Sequence, residues 1–142
     1  MEFRLHHIGV VVRDIERSAA TYTQQLGYVA RTGIIHDPLQ TAYVRFLCLP
    51  GGTAYLELVS PDGSASRLTN ALNAGGGLNH LCYATDDIEG ACGELRRQGM
   101  MVIHEPVPAV AFGGRRIAWL IGQDRVLTEL VERAAAGDLH AL

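Results

Sequence analysis

Two stretches decide the fold: His6-His7-Ile8-Gly9-Val10-Val11-Val12-Arg13-Asp14-Ile15-Glu16 and Asn79-His80-Leu81-Cys82-Tyr83-Ala84-Thr85-Asp86-Asp87-Ile88-Glu89. Each puts a histidine second, follows it with a short apolar run, and closes on Asp-Ile-Glu. His7 precedes Asp14 by seven residues, and His80 precedes Asp87 by the same seven. A period of this length repeated once is the mark of a duplicated module, so self-similarity is read before anything else.

Each aspartate opens a helical pattern. Ile15, Ala19, Tyr22 and Leu26 recur at helical spacing and Gly27 follows; Ile88, Ala91, Cys92 and Leu95 do the same, with Gly99 as the stop. Aspartate is a favoured N-cap and glycine a favoured terminator, so both helices carry physical start and stop signals. After each glycine the pattern turns to strands. The first copy offers Tyr28 to Ile35, Ala42 to Leu49 and Ala54 to Ser60, with Pro50-Gly51-Gly52 as a hairpin turn. The second offers Met101 to His104, Arg115 to Ile121 and Val126 to Val131, broken at Gly113-Gly114 and at Gly122 to Asp124.

The expected fold is therefore α+β: two β-α-β-β-β modules related by a pseudo-twofold. Residues 1–134 form one domain, with module one at 4–60, a linker at 61–77 and module two at 78–133. The linker carries a short helix around Ser66 to Leu72 and a flexible Gly75-Gly76-Gly77 hinge. Residues 135–142 read as a loosely packed tail.

The rest of the chain narrows the function. The 142 residues are 48% hydrophobic and 19% charged, enough to bury a real core. A net charge of −3 gives no reason to expect nucleic acid or an anionic membrane as a partner. No apolar run is long enough to span a bilayer, and the opening MEFRLHHIGV lacks the pattern of a secretory signal. Cys48, Cys82 and Cys92 form no close pair and read as reduced thiols, so a cytoplasmic setting is expected.

The repeat places chemistry at matching positions. His7 opens the first strand of copy one, and Glu57 lies 50 residues on in its last strand; His80 opens copy two, and Glu129 lies 49 residues on. Glu57 sits in Tyr55-Leu56-Glu57-Leu58-Val59 and Glu129 in Leu127-Thr128-Glu129-Leu130-Val131. A carboxylate inside an apolar strand must be paired, protonated or ligating, because leaving it bare is costly. An isolated His or Glu on a strand is usually an ordinary edge or surface residue. Four at equivalent positions read instead as ligands of one divalent metal such as Zn, Ni, Co, Mn or Fe.

These motifs, together with Gly77-Leu78-Asn79-His80-Leu81-Cys82-Tyr83, resemble the vicinal-oxygen-chelate superfamily of glyoxalases, bleomycin-resistance proteins and dioxygenases. Over residues 4 to 133 the look is most similar to its methylmalonyl-CoA epimerase branch. The resemblance implies paired modules forming a cupped mixed sheet around a metal, with His7, Glu57, His80 and Glu129 as ligands, and a homodimer. Two positions depart from the epimerase pattern. Glu57 stands where such epimerases commonly carry Gln, which makes the set more like that of glyoxalase I. The stretch His36-Asp37-Pro38-Leu39-Gln40-Thr41 lacks the Glu of the corresponding loop.

The expected function is an isomerase or lyase. It removes a proton next to the carbonyl of a small-molecule substrate, through a metal-stabilised enolate, in the manner of an acyl-CoA epimerase. Glu129 is the first candidate base and Glu57 the second, with Asp37 or His36 as an opposite-face acid or base. Phe112-Gly113-Gly114-Arg115-Arg116 reads as a mobile loop offering an arginine to a substrate anion. Cys82 faces the same way as His80, and His6 faces away, toward the surface or the surroundings of the site. His104 and His140 have no supporting pattern. The competing readings are an iron-dependent dioxygenase and a binding module of the bleomycin-resistance type. Glu57 speaks against the first and the complete ligand set against the second.

Overall fold

The computed structural model describes residues 1–133 and 142. Nine strands of mixed sheet and few helices make up the described chain. They divide into two compact units, His7–Asn79 and a second that joins Met1–His6 to residues from His80 onward. The tail expectation, residues 135–142, lies outside the described residues except at Leu142.

β1 (Phe3–Val11), whose residues from His7 belong to the first unit, leads into α1 (Ile15–Leu26). Asp14 caps this helix as read from sequence: its extended backbone lets the carboxylate accept from Arg17 N at 3.1 Å. Such a cap is worth about 1 kcal/mol. Gly27 stops the helix with φ +76, a left-handed conformation in which a side chain would be strained. The strands that follow are β2 (Val29–Ala30), β3 (Ile35–Asp37), β4 (Ala42–Cys48) and β5 (Tyr55–Pro61). β5 runs parallel to β1 and antiparallel to β4, while β2 and β3 both pair with β4. The single strand read over Tyr28 to Ile35 is thus two short ones. Between them Arg31 N and Thr32 N both turn to Phe46 O, which ends regular pairing.

Alternation sorts β1, β4 and β5 into two faces. Val10, Leu47, Leu56 and Leu58 turn to α1 and pack on Ile15 and Ala19 as one buried cluster. His7, Phe46 and Glu57 occupy the other face.

The linker helix is shorter and later than expected: α2 spans Thr69–Asn73. Gly75, Gly76 and Gly77 all have positive φ, and the first two donate back to Leu72 O and Ala71 O. A Cβ on Gly76 would stand 2.7 Å from the backbone oxygen of Val11. The segment read as a flexible hinge is a fitted turn.

The second unit repeats the plan. β6 (Gly77–Thr85) leads to α3 (Ile88–Arg97), capped by Asp87, which accepts from Gly90 N at 2.9 Å. β7 (Met101–Pro108), β8 (Arg116–Ile121) and β9 (Leu127–Glu132) follow, ordered β6-β9-β8-β7 with only β6–β9 parallel. Ala118, Leu120 and Leu130 pack beneath Ile88, Ala91 and Cys92. Burial pushes the Cys92 thiol pKa up, as suits a core thiol rather than a reactive one. No helix among the described residues is long and apolar enough to cross a membrane.

Arg116 ties this unit together: it binds both carboxylate oxygens of Glu132 and reaches Glu89 on α3 at 2.7 Å. The Arg116 hydrogen bonds hold the Glu132 carboxyl below the usual range, against the opposing effect of burial. A depressed carboxyl contributes stability above the ordinary Glu range, and that contribution is lost as pH falls through the folded value. We expect Glu132→Gln to cost about 1–2 kcal/mol at pH 7 in denaturant melts, with the gap to the parent closing below about pH 4. A gap of the same size at pH 3 would show that the charge pair is not its source.

Candidate metal centre

Each unit carries one His–Glu pair, and the two pairs are built alike. In the first, register pairs Gly9 with Glu57 and Phe46 with Glu57, so His7, two residues before Gly9, shares their face. His7 Nε2 lies 3.6 Å from Glu57 Oε1. The Phe46 ring meets the His7 ring edge-on at 5.3 Å. In the second, Cys82 pairs with Glu129 and Trp119 with Glu129, so His80 shares that face. His80 Nε2 lies 3.2 Å from Glu129 Oε2, and Trp119 meets His80 edge-on at 4.8 Å. Residue answers residue, His7 to His80, Glu57 to Glu129, Phe46 to Trp119. Gly9 answers to Cys82, which is fully buried.

Burial makes the chemistry pointed. Glu57 is 5% exposed and Glu129 2%, while His7 is fully buried and His80 5% exposed. Two carboxylates withdrawn from water need a compensating cation or hydrogen-bond donors. Beside each stands an imidazole, whose ring nitrogen can ligate a metal through its lone pair or, when it carries a proton, donate a hydrogen bond to the carboxylate. Among the described residues, His7, Glu57, His80 and Glu129 form a buried group able to offer one ligand atom each to an ion. Two imidazole nitrogens with two carboxylates suit a borderline divalent metal, so the donor set fits the group the sequence anticipates.

Other expectations meet mixed outcomes. His36 and Asp37 lie on a strand, β3, rather than in a loop. Register pairs Asp37 with Ala42, on the face of Phe46 and Glu57, whereas His36 pairs with Tyr43 on the opposite face. Asp37 is buried and accepts from Gln40 N at 3.3 Å; His36 hydrogen-bonds Asp62 at 2.9 Å and stacks against Tyr43. Of the two, Asp37 alone is turned the right way.

The arginine loop is corrected. Val110–Phe112 forms a short 3-10 helix that buries Phe112, and Arg115 lies over that ring while donating to Phe112 O and Glu132 O. Arg116 is held by Glu132 and Glu89. Both arginines are committed to the fold. His6, expected toward the surface or the site's surroundings, is fully buried and meets Phe112 edge-on at 5.5 Å, because β1 is covered on both faces. His140 lies outside the described residues. Sequence reasoning passed over His104, whose orientation depends on an irregularity in β7 that residue spacing does not reveal.

The described chain is a duplicated β-α-β-β-β module carrying one buried His–Glu pair per copy. The chain belongs to the glyoxalase/bleomycin resistance protein/dioxygenase superfamily, whose family model matches residues 6–119. Among curated relatives, it is 33% identical over 124 residues to the ethylmalonyl-CoA/methylmalonyl-CoA epimerase of Cereibacter sphaeroides, covering 85% of this chain and 90% of the relative. Among solved structures, it resembles methylmalonyl-CoA epimerase from Mycobacterium tuberculosis, with a TM-score of 0.82 and 28% identity. That match covers 93% of this chain and 89% of the other. A methylmalonyl-CoA epimerase solved with methylmalonyl-CoA and NH4+ gives a TM-score of 0.83 at 26% identity, covering 97% and 99%. The chain is an enzyme, and the isomerase/epimerase class fits it.

Proposed function

We propose that this chain is a divalent-metal-dependent epimerase that inverts the carbon next to the thioester carbonyl of an acyl-CoA. The observation that carries the reading is the pair of equivalent, buried His–Glu half-sites, His7 with Glu57 and His80 with Glu129. The names of the relatives supply the substrate class. The proposal includes a homodimer, on the family resemblance alone, and a cytoplasmic setting, on the reduced cysteines.

When bound, a divalent ion supplies Lewis-acid polarisation of the carbonyl, lowering the cost of charge that builds on its oxygen. The protein's own residues do the rest. Glu129 takes the proton from the adjacent carbon, and its burial keeps water from competing for that proton. Glu57 enters this step as the carboxylic acid and gives its proton to the other side of the flattened carbon, leaving Glu129 protonated and Glu57 ionised until solvent exchange resets them. Phe46 and Trp119, each edge-on to a histidine, fix the imidazole planes so that neither ring must be ordered as the substrate arrives.

The test is proton exchange in D2O on a single epimer of methylmalonyl-CoA, followed by mass gain and by interconversion of the epimers. The parent should do both. We expect Glu57→Gln to keep exchange on one epimer while interconversion falls about 100-fold, the typical worth of one acid-base group. Interconversion within tenfold of the parent would make Glu57 a ligand only. A metal-loaded parent that neither exchanges nor interconverts would sink the epimerase reading.

A further inference from the structure

We infer that His104 contacts the substrate, binding an oxygen of the acyl-CoA arm that leads away from the reacting carbon; this rests on the epimerase reading above. The inference comes from a break in the β7 ladder. Val102 pairs with Leu120 and packs into the cluster beneath α3. Strict alternation would put His104 on that same face, an imidazole pressed under a helix. Instead His104 pairs with Trp119, one residue on where two are due, so an extra residue sits between Val102 and His104. A second shift separates His104 from Val107.

A bulge of this kind re-aims a side chain. Here it turns His104 onto the face of Trp119, Glu129 and Cys82, which register sets in a row with it across β7, β8, β9 and β6. Pro106, which lacks an N–H, falls within the second shift, in a strand at the end of this order. Two irregularities flanking one exposed histidine, on the face that carries a buried Glu129, are more than edge protection requires.

Distance decides the role. Two strand spacings separate His104 from Glu129, about 10 Å, which is beyond hydrogen-bond reach of any proton Glu129 moves. His104 therefore binds rather than catalyses. An exposed imidazole past the Trp119 ring offers an N–H to a carbonyl or phosphate oxygen of an extended ligand, with the indole as its apolar wall.

The experiment labels the histidine rings with 13C and titrates metal-loaded protein with propionyl-CoA, the His104 signal being the one that His104→Gln removes. We expect that signal to move on saturation. His104→Ala should raise KM for methylmalonyl-CoA about fivefold to tenfold, the worth of one hydrogen bond, with kcat within twofold. A His104 signal that stays in place overturns the inference even where the parent epimerises its substrate. So does a loss confined to kcat. A signal that moves in a protein without proton exchange keeps the contact and removes the epimerase reading instead.

Discussion

Protein purified from metal-replete medium should carry close to one divalent ion per chain, and a His80→Ala/Glu129→Ala double variant almost none. The reasoning is electrostatic. Glu57 and Glu129 are nearly sealed from water, and each has a buried histidine within 3.6 Å. A neutral imidazole compensates a buried carboxylate only by one hydrogen bond, whereas a divalent ion compensates both at once. Removing one ligand from each kind leaves an incomplete donor set. Changes even to residues that merely orient ligands cost 10- to 100-fold in metal affinity, so losing two ligands should weaken binding by at least about 1,000-fold. Binding to the folded state alone also stabilises it, by about 4 kcal/mol at a free metal concentration 1,000 times Kd. The parent should therefore melt roughly 10 °C lower after treatment with a chelator, and the double variant should show no such drop. Circular dichroism of the variant separates a lost ion from a lost fold. A parent that stays metal-free after reloading with Co2+, Ni2+ and Zn2+ would sink the metal centre and favour a binding module.

Much of this was legible because duplication turns weak signals into matched ones. Asp14 and Asp87 each read as a cap, and each caps its helix. The strands bearing Glu57 and Glu129 read as apolar runs with one charge, and both carboxylates are buried. What the sequence hid depends on events that spacing does not encode. The bulge before His104 flips a side chain with no change in composition. The turn at Thr32, which splits one expected strand into β2 and β3, depends on Phe46 O accepting two donors from a distant segment. Arg116 read as a free cation because its partners, Glu132 and Glu89, lie 16 and 27 residues away along the chain, and Arg115 because its bonds go to the backbone oxygens of Phe112 and Glu132. Alternation placed His6 at the surface or in the site's surroundings; burial on both faces of its strand removes the first, and its grouping with Cys82 agrees with the second. Asp37 is the reverse case: alternation in β3 selects it over His36 once the pairing with β4 is known.

Glu129→Gln should reduce α-proton exchange on the epimer of methylmalonyl-CoA whose proton Glu129 removes by about 1,000-fold while the protein retains more than half its metal. Glutamine keeps the length of the side chain and a carbonyl oxygen that can still ligate, but it has no basic oxygen to accept a proton. The substitution therefore divides two roles that Glu129→Ala would abolish together. General-base catalysis is worth roughly 100- to 10,000-fold, so a fall of that size with the ion in place assigns proton transfer to Glu129. The loss should appear in kcat, since the ground-state contacts of the acyl-CoA are untouched. His80 and Trp119 report on whether the pocket is intact: near-ultraviolet dichroism from Trp119, whose ring sits 4.8 Å from His80, should match the parent. Exchange within tenfold of the parent, with metal bound, would make Glu129 a permanent ligand. The base would then be sought at Glu57, its counterpart in the first unit, or at Asp37, another buried carboxylate on the Glu57 face.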